Sequence, residues 1–384
     1  MNARLRSRLL AVVCAGLVAD LLVQPIRALR DLQDTDFVNF LAASRILRDG
    51  GCLYCTGAQR AATNVVLGGV PTGHVVAFVG PPMVAAAFSP LSVMDPHVAL
   101  GLFLVVSLLG IGVAAWLIAS RLVPGLSTPR RLALLAATAA SAPAAWGLAL
   151  GQSDPLLFCA VVGGIILCRR WPIVGGLLIS VLLVKPQLIL LIVVALIFGR
   201  NWRVLGGIAL GAVGVAVSTV ALMGWSRVLD WPRFVASQYD LIASHSISVP
   251  LFFGTLVGST TVTLAVSLLL YAIGVALLWR RRALLSDAAT ALALGLILTM
   301  TASPHLLAYD ALFLTIPLAW LARSEWGPAL TLALLMSAAY VVDSVAVPVT
   351  AWAEPLVLAG IATAVVAHGG RIDRAPALRP GMAT

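Results

Sequence analysis

The sequence predicts an all-α polytopic membrane protein with about twelve transmembrane or partly spanning helices, on three observations: its composition, its apolar runs and the placement of its arginines. Of 384 residues, 61% are hydrophobic and 10% charged. A soluble fold of this length could not cover its surface with so few ionisable groups. The formal charge of +10 is scattered in ones, twos and threes between apolar runs. No basic stripe forms, which argues against a nucleic-acid partner and makes the lipid bilayer the solvent.

A spanning helix needs ~20 apolar residues, fewer where it crosses only part of the way, and charges, prolines and glycines mark its ends. The first run, Leu9 to Val23, follows Arg4, Arg6 and Arg8 with no clear small-residue cleavage site after it, so it is read as a retained helix rather than a signal peptide. Val98 to Ser120 stops at Arg121, and Leu132 to Leu150 begins after Arg130 and Arg131. Pro155 to Cys168 ends at Arg169 and Arg170; Pro172 to Val184 and Gln187 to Phe198 are separated by Lys185-Pro186. Val204 to Gly224 and Phe253 to Trp279 follow, then Ala288 to Ala302, Leu306 to Ala322, Pro328 to Val342 and Thr350 to Ala367. The whole chain, 1–384, reads as one integral membrane domain with a first outer loop at 24–97, a second long outer loop at 225–252 and a cytoplasmic tail at 368–384.

With a cytoplasmic N-terminus, every arginine falls inside except Arg27, Arg30, Arg45, Arg48, Arg60, Arg227 and Arg233, all in the two long loops. The positive-inside rule therefore sets this orientation and puts both termini in the cytoplasm. Asp31, Asp34, Asp36, Asp49, Asp154, Asp230, Asp240 and Asp310 all fall outside. No cytoplasmic segment is long enough for a nucleotide-binding domain, and no GxxxxGK[ST] loop is present, which excludes an ATP-driven pump.

The chemistry is therefore sought at the outer face. Asp34 or Thr35 can cap a helix beginning near Asp36, whose Phe37, Phe40 and Leu41 share a face, predicting an amphipathic helix on the membrane surface. The stretch from Pro81-Pro82-Met83 to Pro90-Leu91 is too broken by proline to span and is expected to dip into the outer interface. Trp225, Trp231 and Tyr239 suit either an aromatic belt or stacking on a sugar ring. Lys185, the only lysine, sits between two half-length runs, and Pro186 after it frees backbone groups. Its ammonium either snorkels to headgroups or contacts an anion such as a lipid phosphate. Gly151-Gln152-Ser153-Asp154 and Ser303-Pro304-His305, with Tyr309 and Asp310, mark other outer helix ends, where His305 is either a structural hydrogen-bonder or part of a site. Gly207 and Gly211 suit close helix packing.

Of five cysteines, Cys14, Cys159 and Cys168 lie in apolar runs as small hydrophobes. Cys52 and Cys55 are either a local disulfide or two free thiols. With no HExxH or paired CxxC spacing, the sequence supports neither zinc nor any other metal or cofactor, and it names no metal ligand.

The ordered set Asp36-Phe37, Ala42-Ala43, Gly50-Gly51, Leu53-Tyr54, Gln59, Pro81-Pro82, Gly151-Gln152, Lys185-Pro186 and Ser303-Pro304-His305 resembles glycosyltransferase family 87. These are bacterial membrane enzymes of the GT-C superfamily, including polyprenyl-phosphate-mannose-dependent mannosyltransferases. The resemblance implies a GT-C type fold in a bacterial plasma membrane. It also implies a polyprenyl-phosphate sugar donor, mannose foremost, a glycolipid or glycan acceptor, and inverting transfer at the outer face. The family's acid in the first outer loop matches Asp36, with Asp34 the second candidate for general base. Lys185 is then the donor-phosphate contact, and His305, Gln152, Tyr309 and Asp310 are further candidates for binding donor or substrate. Two positions depart from the pattern: Cys55 where an Asp is expected after the Leu-Tyr pair, and Gly80 where an aromatic precedes the double proline. The competing class, a secondary transporter or lipid-linked-sugar flippase, predicts repeated halves and midplane charges, and neither is seen in the sequence. A non-catalytic assembly factor would leave Asp34, Asp36 and Lys185 dispensable.

Overall fold

A computed structural model describes residues 3–69, 77–238, 246–323, 325–345 and 353–368. His74, Tyr239, Asp240, His245 and the tail beyond His368 lie outside these residues. Among the described residues the regular elements are helical, and the one β contact is an isolated antiparallel bridge between Ser246 and Leu307.

The chain begins with α1 (Ala3–Arg30), α2 (Phe37–Arg48), α3 (Thr56–Val66), α4 (Pro82–Ala87), α5 (Pro96–Leu117) and α6 (Thr128–Ala139). Next come α7 (Ala142–Ala149), α8 (Asp154–Leu167), α9 (Pro172–Ile179), α10 (Leu190–Phe198), α11 (Trp202–Met223) and α12 (Asp230–Ser237). It closes with α13 (Val249–Val257), α14 (Thr260–Arg280), α15 (Ala288–Ala302), α16 (Thr315–Ala322), α17 (Trp326–Val345) and α18 (Ala353–His368). Among the described residues, four helical stretches are long and apolar enough to cross a membrane: Pro96–Leu122, Thr128–Ala149, Trp202–Met223 and Thr260–Arg280. Shorter apolar helices pack among them, and α15 lies at the centre with every side chain from Ala289 to Met300 buried. The molecule is a helical membrane protein.

The boundaries differ from the sequence reading where local chemistry outweighs hydropathy. Helix α1 continues through Pro25 to Arg30, so the first loop starts seven residues later than Gln24, and Arg27 and Arg30 are helical. Within it, Gln24 Nε2 donates to Asp20 Oδ1 at 2.7 Å, pairing the acid one turn away. The run read as Phe253 to Trp279 is two helices. Gly258 adopts φ +66°, and Ser259 accepts from Val262 N to start the next helix, a C-terminal glycine followed directly by an N-cap. Leu132 to Leu150 is likewise interrupted at Ala140, where Ser141 caps α7 ahead of Pro143. On α9 and α11, a side chain at Gly207 would collide with the Ile173 carbonyl, so these backbones approach as closely as the glycine allows.

One expectation for the first loop is corrected. Helix α2 does not lay its apolar face on a membrane surface. Phe37, Val38, Leu41 and Ala43 are almost wholly buried, Phe37 packs on Phe88 and Phe103, and Phe40 stacks on Phe88. The proline-rich stretch supplies this packing partner. Helix α4 buries Val84 and Ala85 against α2 and α11, and Ser44 Oγ donates to Ala85 O.

Candidate functional site

The site is assembled where four chain segments end at the same face. The first is the start of α2. Asp36 has helical backbone angles and no side-chain capping bond to its own helix. Thr35 does not cap α2 either, since its hydroxyl donates to Leu32 O at 2.7 Å and closes the turn Leu32–Asp34. The Asp36 carboxylate instead accepts from Gln152 Nε2, across 116 residues of sequence.

The second segment, the turn between α7 and α8, explains that contact. At the C-terminus of α7, Gly151 adopts φ +63° and Gln152 N donates to Gly147 O at 2.8 Å, wrapping the chain around the helix end. Leu150 O accepts from both Asp36 N (2.9 Å) and Phe37 N (3.3 Å). A Cβ at Gly151 would lie 2.7 Å from Phe37 Cβ, so only glycine allows this approach.

Asp154, two residues on, opens α8 and faces the third segment. There Pro186 pushes Lys185 out of helical geometry to φ −127° and ψ 75°, between two 3₁₀ turns. The freed amide of Leu191 is taken up by Thr299 Oγ1 at 2.9 Å. Lys185 Nζ donates to both Asp154 oxygens at 2.8 Å and to Asp310 Oδ1 at 2.6 Å, and it lies 4.4 Å from the centre of the Tyr309 ring. Both carboxylates are fully buried, while the lysine side chain keeps 14% exposure. The ammonium is therefore turned to two buried carboxylates rather than snorkelling outward.

The fourth segment, 303–310, carries His305, Tyr309 and Asp310. Asp310 Oδ2 accepts from Leu307 N at 2.8 Å, leaving its other oxygen for Lys185. The segment is braced by 246–248: Ile247 N donates to Leu306 O at 2.7 Å, Leu306 N to Ser246 Oγ at 2.8 Å, and Ser248 Oγ to Pro304 O at 3.1 Å. His305 Nδ1 is buried without a partner among the described residues. In this connection between two helices, burial pushes the imidazole down to about 4, with Asp310 opposing and Lys185 assisting, so the ring is neutral near pH 7. The Tyr309 hydroxyl lies within electrostatic reach of Asp36, Asp310 and Asp154, and so joins the two halves of the site.

The fold thus brings together Asp36, Gln152, Lys185, His305, Tyr309 and Asp310. Asp34 is exposed in the preceding turn, and among the described residues no hydrogen bond joins it to this group. Cys52 and Cys55 are linked by a disulfide next to a second tie between the loops. There the Tyr54 hydroxyl donates to Gly80 O at 2.8 Å, Gln59 bonds Leu53 and Phe78, and Trp231 Nε1 donates to Val79 O at 2.9 Å. Sequence reasoning placed Asp154 outside but missed that both of its oxygens bind Lys185; its place beside Pro155 at the start of an apolar run was the available signal. It also missed Ser246 and Ser248, which no pattern distinguished. Among the described residues no group of three or more His, Cys, Asp or Glu side chains is arranged to hold a metal ion.

A family model described as glycosyltransferase family 87 matches residues 78–304. Comparison with curated proteins and with solved structures found no match.

Proposed function

This chain belongs to glycosyltransferase family 87, and from that premise we propose that it moves a sugar, mannose foremost, from a polyprenyl-phosphate donor to a glycolipid or glycan acceptor with inversion. The observation that supports this reading most is the Asp36 carboxylate held by Gln152 beside the buried Lys185 group. Asp36 acts as general base, taking the proton of the acceptor hydroxyl as its oxygen bonds to the anomeric carbon. The bond from that carbon to the phosphate oxygen breaks on the opposite face, and the electron pair leaves with polyprenyl phosphate.

The leaving phosphate needs donors. Lys185 faces two carboxylates, so with both ionised the group carries net negative charge, and neutral donors are needed between it and the phosphate. We assign that place to the His305 imidazole and the Tyr309 hydroxyl, which as neutral donors can stand between this group and the phosphate. The apolar tail would lie among the helices, where it leaves no polar group unmatched.

We further propose a bacterial plasma membrane location, with both termini in the cytoplasm and the site outside, on the arginine distribution. In intact cells Asp49→Cys should react with an impermeant thiol reagent and Arg170→Cys only after permeabilisation; the reverse pattern overturns this orientation. For the reaction, purified protein is given a panel of polyprenyl-phosphate sugars. Asp36→Asn should lower transfer by ~10²–10⁴-fold with donor binding retained, while Asp34→Asn stays near the unmodified protein. Near-normal transfer by Asp36→Asn would sink the assignment, and failure of every donor would return the transporter or flippase reading.

A further inference from the structure

The geometry points to Gln152 as the positioning residue of Asp36, an inference that rests on the proposed role of Asp36 as base. Three constraints act on the carboxylate from the same turn. Leu150 O binds the amides of Asp36 and Phe37, which fixes the backbone at that point. Gly151 seats against Phe37 with no room for a side chain. Gln152, itself 6% exposed, aims its amide nitrogen at Asp36 Oδ2. The turn cannot drift, because Gln152 N is bound to Gly147 O on one side and Asp154 is held by Lys185 two residues later on the other.

The residue type suits the task. An uncharged amide N–H can grip one oxygen of a carboxylate and set its rotation without competing for the proton the base must take. A basic side chain there would hold the carboxylate too firmly ionised, and a second carboxylate would share its proton. Asp36 makes no side-chain capping bond to its own helix, and its carboxylate is gripped by a residue 116 positions away. An angstrom-scale misplacement of a reacting group can cost ~10²-fold in rate, so this contact matters for catalysis without touching substrate.

The test uses the full-length protein in lipid nanodiscs and reads the base directly. In pH-difference infrared spectra, the carboxyl band that disappears in Asp36→Asn reports the protonation of Asp36. Gln152→Glu places a second carboxylate against it and should move that band's midpoint to higher pH by about one unit or more. Gln152→Ala removes a donor to the charged form and should shift it in the same direction by less. With a polyprenyl-phosphate sugar that supports turnover, Gln152→Ala should lower kcat by ~10–10²-fold at little-changed donor KM. A purely structural role would lower the melting temperature and leave the midpoint where it is. An unmoved midpoint in a folded Gln152→Glu protein overturns the inference, whatever its activity. Full activity in Asp36→Asn instead overturns the assignment of the base and leaves the infrared result standing as a contact between two side chains.

Discussion

The two ends of the helix bundle treat charge in opposite ways. At the end where α8 begins and α15 finishes, Asp154, Lys185 and Asp310 are buried and bound to one another. At the other end, Arg121, Arg130, Arg131, Arg169, Arg170, Arg200, Arg203, Arg280 and Arg282 are exposed. Arg170 and Arg282 lie over the rings of Trp171 and Trp279, and Arg281 reaches the carbonyl of Val366. Exposed arginines keep their hydration and need no fixed partner. Buried charges lose theirs and must recover the loss from partners, so each becomes a constraint on where several helices meet. The lesson is that charged residues are left to water at one end and fix tertiary geometry at the other.

The sharpest way to break this comparison is to remove the single cation. Lys185→Met leaves two buried carboxylates facing each other and should cost roughly 3–5 kcal/mol, read as a large fall in melting temperature in detergent. Neutralising all three positions together, Lys185→Met with Asp154→Asn and Asp310→Asn, should recover much of that loss. If the triple variant is no more stable than the single one, the cluster is not held by charge balance.

A smaller effect is expected from Gly151→Ala, which forces a side chain into a left-handed backbone position and against Phe37. It should cost about 1–3 kcal/mol and displace Asp36, lowering transfer more than donor binding. Retained stability and turnover would show that the turn between α7 and α8 does not set the base. The smallest effect belongs to the opposite end. Arg280→Ala and Arg282→Ala should leave the melting temperature unresolved from that of the unmodified protein, because exposed substitutions rarely change stability measurably. Adding both to a further loss of Arg281 should instead weaken the preference for one orientation, read by the same thiol labelling. A stability loss comparable to that of Lys185→Met would erase the contrast between the ends.

What the sequence by itself determined is the class of the molecule and the list of its unusual residues. Apolar runs of spanning length, a lone lysine before a proline, and short polar motifs at helix ends are local facts, and hydropathy and backbone chemistry read them without a partner. Gln152, Lys185, His305, Tyr309 and Asp310 were therefore legible as candidates, and Asp36 became one through the family resemblance. The places where one helix becomes two, at Ala140 and Gly258, were harder, because caps interrupt a helix without interrupting its hydropathy. Only the tertiary structure decided how the candidates act on one another. Whether α2 faces lipid or protein depends on Phe88 and Phe103, whether Lys185 stands alone depends on Asp154 and Asp310, and what grips the Asp36 carboxylate is Gln152. Those partners lie between 31 and 125 residues away for the charged group and 116 for the base. The energy of a buried polar group is set by the atoms that surround it, and those are brought near by packing, which the local pattern of residues does not specify.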